Sequence, residues 1–156
     1  MSTVEEAHAE MFEHLRNGSG GRECPVCTKH CESYKRHMNS ALTTFLGWLV
    51  ESWLREGRWY HIKEGPIIQG RPSGGDYAKL QHWRMIEGKP LDDDPTKTHS
   101  GLWRPTFPGV QFVAGRLRVP AYYIEYKNEL WWWADELTSF EQAHGRRFDM
   151  RDVRFA

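Results

Sequence analysis

The stretch that decides the fold runs from Gly75 to Ile86 as Gly-Asp-Tyr-Ala-Lys-Leu-Gln-His-Trp-Arg-Met-Ile, and it resumes at Trp103-Arg-Pro-Thr106-Phe-Pro-Gly109. The first part predicts a helix from about Asp76 to Ile86, with Ser73 and Asp76 spaced as a capping box. Residues 88–101 are polar and turn-rich, so they read as an exposed loop. Leu102-Trp-Arg resembles a short strand. Thr106 is placed to N-cap another helix, with Pro108 in its first turn and Gly115 at its close. A helix with an apolar tip, a loop, a strand and an apolar–Thr–x–x–Gly helix start form the tail expected of a winged-helix domain.

Upstream, Leu42, Phe45, Leu46, Leu49, Val50, Trp53 and Leu54 follow helical spacing from Ser40 to Glu56, and Gly57 is placed to end that helix. Trp59 to Ile62 reads as extended. At the N-terminus, Val4, Ala7, Met11, Phe12 and Leu15 mark a short amphipathic helix over residues 1–16, and Asn17-Gly-Ser-Gly-Gly follows as a connector. Downstream, Ala121–Tyr126 and Leu130–Trp133 predict a hairpin turning at Lys127-Asn128-Glu129. Thr138-Ser-Phe-Glu141 has capping-box spacing for a last helix ending at Gly145. The expected fold is α+β: a winged-helix-like domain with an N-terminal metal-bound cysteine segment and a C-terminal β-hairpin. Residues 1–20 would be helix and linker, and residues 21–156 a single zinc-stapled domain.

All three cysteines fall between Cys24 and Cys31. An odd number so tightly spaced is not a disulfide framework. Cys24-Pro-Val-Cys27 is a pair that a tight turn can bring to one tetrahedral ion, with Pro25 fixing φ in the turn. Adding Cys31 and His37 gives a Cys3His set, and zinc is the expected metal. Reduced thiols without metal and an iron–sulfur cluster are the alternatives. His14, His61, His82 and His99 are other candidates for the fourth ligand.

The composition is that of a globular chain of ordinary domain size: 156 residues, 39% hydrophobic and 27% charged. The longest apolar stretch, around Phe45–Leu54, is too short and too polar to span a bilayer. The first residues lack the pattern of a signal peptide. A reducing cytoplasm is the expected location, and no membrane or small-molecule partner is evident. Net charge is zero, yet residues 21–127 carry 16 Lys and Arg against 11 Asp and Glu, between two acidic ends. That distribution permits a phosphate-facing surface without requiring one.

The run Cys24-Pro-Val-Cys27, Tyr34-Lys-Arg36 and Asn39-Ser resembles a family of small phage-encoded proteins of unknown function. Gly75-Asp-Tyr-Ala-Lys-Leu80, Trp83, Ile86-Glu87, Gly101-Leu-Trp-Arg, and Gly109 with Phe112, Val113 and Gly115 extend the match. Val119-Pro120, Tyr122, Tyr126 and Asn128 complete it, over roughly residues 24–150. The resemblance implies a phage origin, a host-cytoplasm location and a winged-helix look. Cys31 and His37 depart from its common pattern.

Two partners are expected. For DNA, the helix after Gly75 would present Lys79, Gln81, His82 and Arg84 to the major groove. Lys89, Lys97 and Arg104 on the wing, and Lys35, Arg36, Arg116 and Arg118 elsewhere, could meet phosphates. A solvated polar face would look the same, and Asp92-Asp-Asp94 in the wing would repel a phosphate backbone. For a host or phage protein, Trp131-Trp-Trp133 would supply the anchor, as a module that redirects or inhibits its target. In a regular strand Trp131 and Trp133 share one face and Trp132 takes the other. No GxSxG, Walker loop, HExxH or paired catalytic carboxylates are present, so catalysis is not expected.

Overall fold

The computed structural model describes residues 3–90 and 100–155. In chain order the elements are α1 (Val4–Arg16), β1 (Ser19–Glu23), β2 (His30–His37), α2 (Ser40–Glu56), β3 (Tyr60–His61), β4 (Ile86–Gly88), β5 (Leu102–Pro105), α3 (Phe107–Val113), β6 (Val119–Pro120), β7 (Tyr122–Tyr126), β8 (Glu129–Trp133), β9 (Leu137–Thr138) and α4 (Phe140–His144). Three 3₁₀ segments, Ile62–Glu64, Gly75–Trp83 and Met150–Asp152, complete the set. The fold is α+β with antiparallel sheets. No helix among the described residues is long and apolar enough to cross a membrane.

The chain forms two compact units: residues 1–37 with 120–137, and residues 38–119 with 138–156. The division does not fall at residue 20. The N-terminal helix and the cysteine segment belong to the same unit.

In the first unit, β1, β2, β7 and β8 form one antiparallel sheet in that order. Thr3 caps α1 through a capping box with Glu6. Ala7, Met11 and Leu15, spaced at one helical turn, are the buried face of α1. The Ser33 hydroxyl on β2 donates to the Leu15 carbonyl at 2.6 Å, which also accepts from the Gly18 N–H at 3.0 Å, so the end of α1 is tied to β2. The expected connector at 17–21 is largely strand. Its glycines carry little strand propensity, but five consecutive pairings, Ser19↔Tyr34 through Glu23↔His30, hold it against β2. Gly18 has φ +63°, and a Cβ there would sit 2.7 Å from Lys35 Cγ, so the turn between helix and sheet needs glycine.

The β7–β8 hairpin forms as expected. Lys127 and Asn128 both have positive φ (50° and 63°), the pattern of a two-residue turn whose twist matches its strands. The register slips between Ile124 and Glu125: Leu130 opposes Glu125, Trp132 opposes Ile124, and Trp131 is the extra residue of a bulge. Alternation therefore breaks. Trp131 and Trp132 stack on each other (4.8 Å, 7°), and Trp133 goes instead with Tyr123 (5.7 Å).

In the second unit, α2 spans Ser40–Glu56 as expected and ends at Gly57 in the left-handed conformation; the Asn39 side chain caps its start, accepting from the Leu42 N–H at 2.9 Å. Phe45, Leu46 and Leu49 are fully buried. Gly47 lies mid-helix because the Phe148 ring occupies the space of a Cβ, 2.6 Å away. The sheet order is β3-β5-β4, antiparallel throughout. Thr106 caps α3 as expected, accepting from the Gly109 N–H at 3.1 Å. The last helix is capped one residue later than its pattern suggested: Ser139 and Gln142 form the box, and Gly145 closes it at φ 89°.

The segment after Gly75 is 3₁₀ over Gly75–Trp83 rather than an α-helix over 76–86. Its expected cap is committed elsewhere, since the Ser73 hydroxyl donates to the Pro66 carbonyl at 2.6 Å. Gly74 stands at the N-cap without a side-chain bond. An uncapped start with two glycines gives an α-helix little support there. Leu80 and Met85 are nonetheless fully buried.

Candidate metal centre and nucleic-acid interface

The cysteine segment is the turn of the β1–β2 hairpin. The Cys24 N–H donates to the Lys29 carbonyl at 2.8 Å, and the Thr28 N–H to the Cys24 carbonyl at 2.9 Å. Thr28 takes a left-handed φ of 64° to close this turn. The turn aims the backbone N–H groups of Cys27 and Val26 at the Cys24 sulfur. Those hydrogen bonds, Cys27 first, hold the Cys24 thiol below its ordinary pKa against the effect of burial. The Cys27 side chain also hydrogen-bonds with Cys24.

Cys31 pairs with Arg22 on β1, two residues along from Cys24, so Cys24 and Cys31 point to the same face. All three cysteines are free thiols; Cys24 is buried and Cys27 exposed. The Cys31 thiol reaches the Lys29 carbonyl at 3.7 Å. On β7, the Tyr126 phenol lies beside Cys31. Its hydrogen bond with that thiol, then burial, then charge on Cys31, Cys24 and Cys27 raise its pKa above the ordinary value. Tyr126 was not foreseen: its place follows from β2 pairing with β7, a contact between distant parts of the sequence.

His37 does not join this group. It ends the same extended strand six residues beyond Cys31, roughly 20 Å away along β2, and its ring packs on Tyr122 at 5.1 Å. His14, in the same unit, has a buried Nε2 with no hydrogen-bond partner among the described residues. His61 and His82 belong to the second unit, and His99 lies outside the described residues. Among the described residues, no three His, Cys, Asp or Glu side chains are gathered as a metal-binding group.

The opposite face of β2 carries His30, Glu32, Tyr34 and Arg36. His30 Nε2 meets Glu32 at 2.6 Å and the Tyr34 hydroxyl donates to Glu32. These bonds, Tyr34 first, lower the Glu32 pKa and raise that of Tyr34. Arg36 Nε donates to Glu125 at 2.5 Å, and Glu125 is only 7% exposed. Arg36 is therefore bound within the unit. Lys35 lies over the Tyr122 ring at 4.9 Å.

The other proposed DNA contacts are in the second unit. Gln81, His82 and Arg84 are exposed at the end of the 3₁₀ segment, where Arg84 takes a left-handed φ of 59°. Lys79 lies 3.9 Å from Asp76. Arg104 is committed: it donates to Glu87 at 2.6 Å and its guanidinium lies 4.3 Å over Trp59. The Lys89 N–H donates to the Leu102 carbonyl and its carbonyl accepts from the Ser100 N–H, which closes the base of the β4–β5 connection. Asp92–Asp94 and Lys97 lie outside the described residues.

The three tryptophans are half-buried in the first unit. Phe12 of α1, 44% exposed, meets Trp131 and Trp132 edge-on at 5.5 and 5.3 Å. Tyr126 stacks on Trp131 at 5.2 Å, and the Trp132 indole N–H donates to the Arg16 carbonyl at 3.3 Å.

Comparison with family models, with curated proteins and with solved structures gives no match.

Proposed function

We propose that the second unit is a winged-helix module that binds duplex DNA, acting as a regulator of transcription in a phage. The observation that carries the reading is the sheet order β3-β5-β4, with the 3₁₀ segment entering the sheet at β4 and a long connection joining β4 to β5. That is the arrangement in which a helical segment precedes the wing hairpin and offers its polar side to a groove. Gln81 and Arg84 suit base edges, and Lys79 and Lys89 suit phosphates. Lys35, Arg36 and Arg104 are weaker members, since each is held by an aromatic ring or a carboxylate of its own unit.

The test is fluorescence anisotropy with random duplex DNA at low and moderate salt. The reading expects binding that weakens steeply with salt and drops at least tenfold with Arg84→Ala. A folded protein that leaves DNA free at low salt sinks it. A second reading, docking of a host or phage protein, draws support from the part-exposed Phe12–Trp131–Trp132 group.

A further inference from the structure

We propose that Cys24, Cys27 and Cys31 together bind one zinc ion through three thiolates, and that His37 is not a ligand. The inference stands on the hairpin geometry and is independent of the DNA reading.

Three observations carry it. First, Cys24 and Cys27 sit in a turn closed by the Cys24–Lys29 and Thr28–Cys24 backbone bonds, with Thr28 left-handed. A turn of two intervening residues that converges two sulfurs is the usual half of a tetrahedral thiolate site. Second, strand register puts Cys31 on the face of Cys24, one diagonal step across the hairpin. Diagonal neighbours on an antiparallel pair have Cα atoms about 7–8 Å apart and Cβ atoms closer, a gap that two Cβ–S bonds and two Zn–S bonds of about 2.3 Å can bridge. Third, among the described residues the Cys31 sulfur has a long 3.7 Å contact to the Lys29 carbonyl and a hydrogen bond with the Tyr126 phenol, so turning about one side-chain bond toward Cys24 gives up little. The exposed Cys27 leaves the fourth position on the solvent side.

Each thiol that becomes a ligand gives up its proton, so loading should release protons to buffer. Tyr126 would then face a thiolate bound to metal and donate its hydroxyl hydrogen bond to the sulfur, an outer contact of the kind that orients metal ligands.

The test uses the full, reduced, metal-free chain titrated with cobalt(II), and then with zinc(II). The expected result is one cobalt per chain with a thiolate-to-cobalt charge-transfer band, displaced by one zinc. The band should fall by about a third in Cys31→Ser and keep its intensity in His37→Ala. Far-ultraviolet circular dichroism checks that both variants fold. If Cys31→Ser does not fold, proton release on zinc binding to the unmodified chain counts the thiols instead. Full band intensity in folded Cys31→Ser, loss of the band in His37→Ala, proton release matching only two thiols, or no cobalt band at all would each overturn the proposal. A coloured iron–sulfur cluster in anaerobically purified protein would overturn it too.

Discussion

Gly109 lies so close to Met85 that a Cβ on it would sit 2.2 Å from the Met85 carbonyl oxygen. The neighbouring Thr106 hydroxyl donates to the Arg84 carbonyl at 2.5 Å, so α3 is seated directly on the backbone that ends the 3₁₀ segment. A backbone carbonyl cannot swing aside as a flexible side chain can. Gly109→Ala should therefore cost about 3 kcal/mol, the upper end for overpacking. Gly74→Ala, at φ −137° with nothing within 4 Å, should change stability by less than about 0.5 kcal/mol. Urea midpoints of the two variants measure the contrast.

Arg36 and Glu125 make an unequal pair: the Arg36 side chain is 42% exposed and that of Glu125 only 9%. Removing the arginine strands a buried carboxylate, whereas removing the carboxylate frees a cation that can reach water. Arg36→Ala should lose about 2–3 kcal/mol and Glu125→Gln less. Thermal melts at neutral pH decide this. Equal losses would mean that the Arg36 guanidinium over the Tyr34 ring matters as much as the stranded carboxylate.

His144 sits against Phe140 and Phe148 and meets the Thr43 hydroxyl at 2.8 Å. Burial, followed by the nearby Arg146, lowers its pKa, and Asp152 opposes this in part. The unfolded chain thus takes up the proton first as pH falls below about 6.5. Stability from this group is complete above pH 6.5 and is lost as pH falls through the lowered folded-state pKa. Denaturation between pH 7.5 and 5 should show the decline, and it should flatten in His144→Gln.

Arg104 and Arg84 should separate structure from recognition. Arg104 is tied to Glu87 and Trp59, so Arg104→Ala is expected to lower the melting temperature while changing DNA affinity by less than about threefold. Arg84→Ala should do the reverse. The comparison needs melting curves and anisotropy titrations on the same preparations.

The parts of the fold that were legible are those fixed by neighbours in sequence. α2 announces itself through its apolar spacing and Gly57, and α3 through Thr106 and Gly109. The β7–β8 hairpin is set by turn residues that tolerate positive φ. What escaped depends on distant partners. β1 contains Gly20 and Gly21 and is a strand because β2 pairs with it. β2 in turn is fixed by β7, and that pairing places Tyr126 at Cys31 and keeps His37 away from it. The 3₁₀ character of Gly75–Trp83 was hidden because Ser73 spends its hydroxyl on Pro66. For the cysteines, spacing alone disclosed the turn but not that Cys31 lies on a strand.

The bulge at Trp131 makes the arrangement of the indoles a matter of counting rather than of chemistry. In an element of period two, one surplus residue acts as a half-period phase jump, and every position beyond it changes parity. Any residue exchanged into position 131 would preserve that offset, so the faces taken by Trp132 and Trp133 are insensitive to what stands there. Chain length between Glu129 and Trp133 is the sensitive variable: removing residue 131 outright would leave the flanking partners Leu130–Glu125 and Trp132–Ile124 in unbroken alternation, with Trp132 deprived of its stacking neighbour.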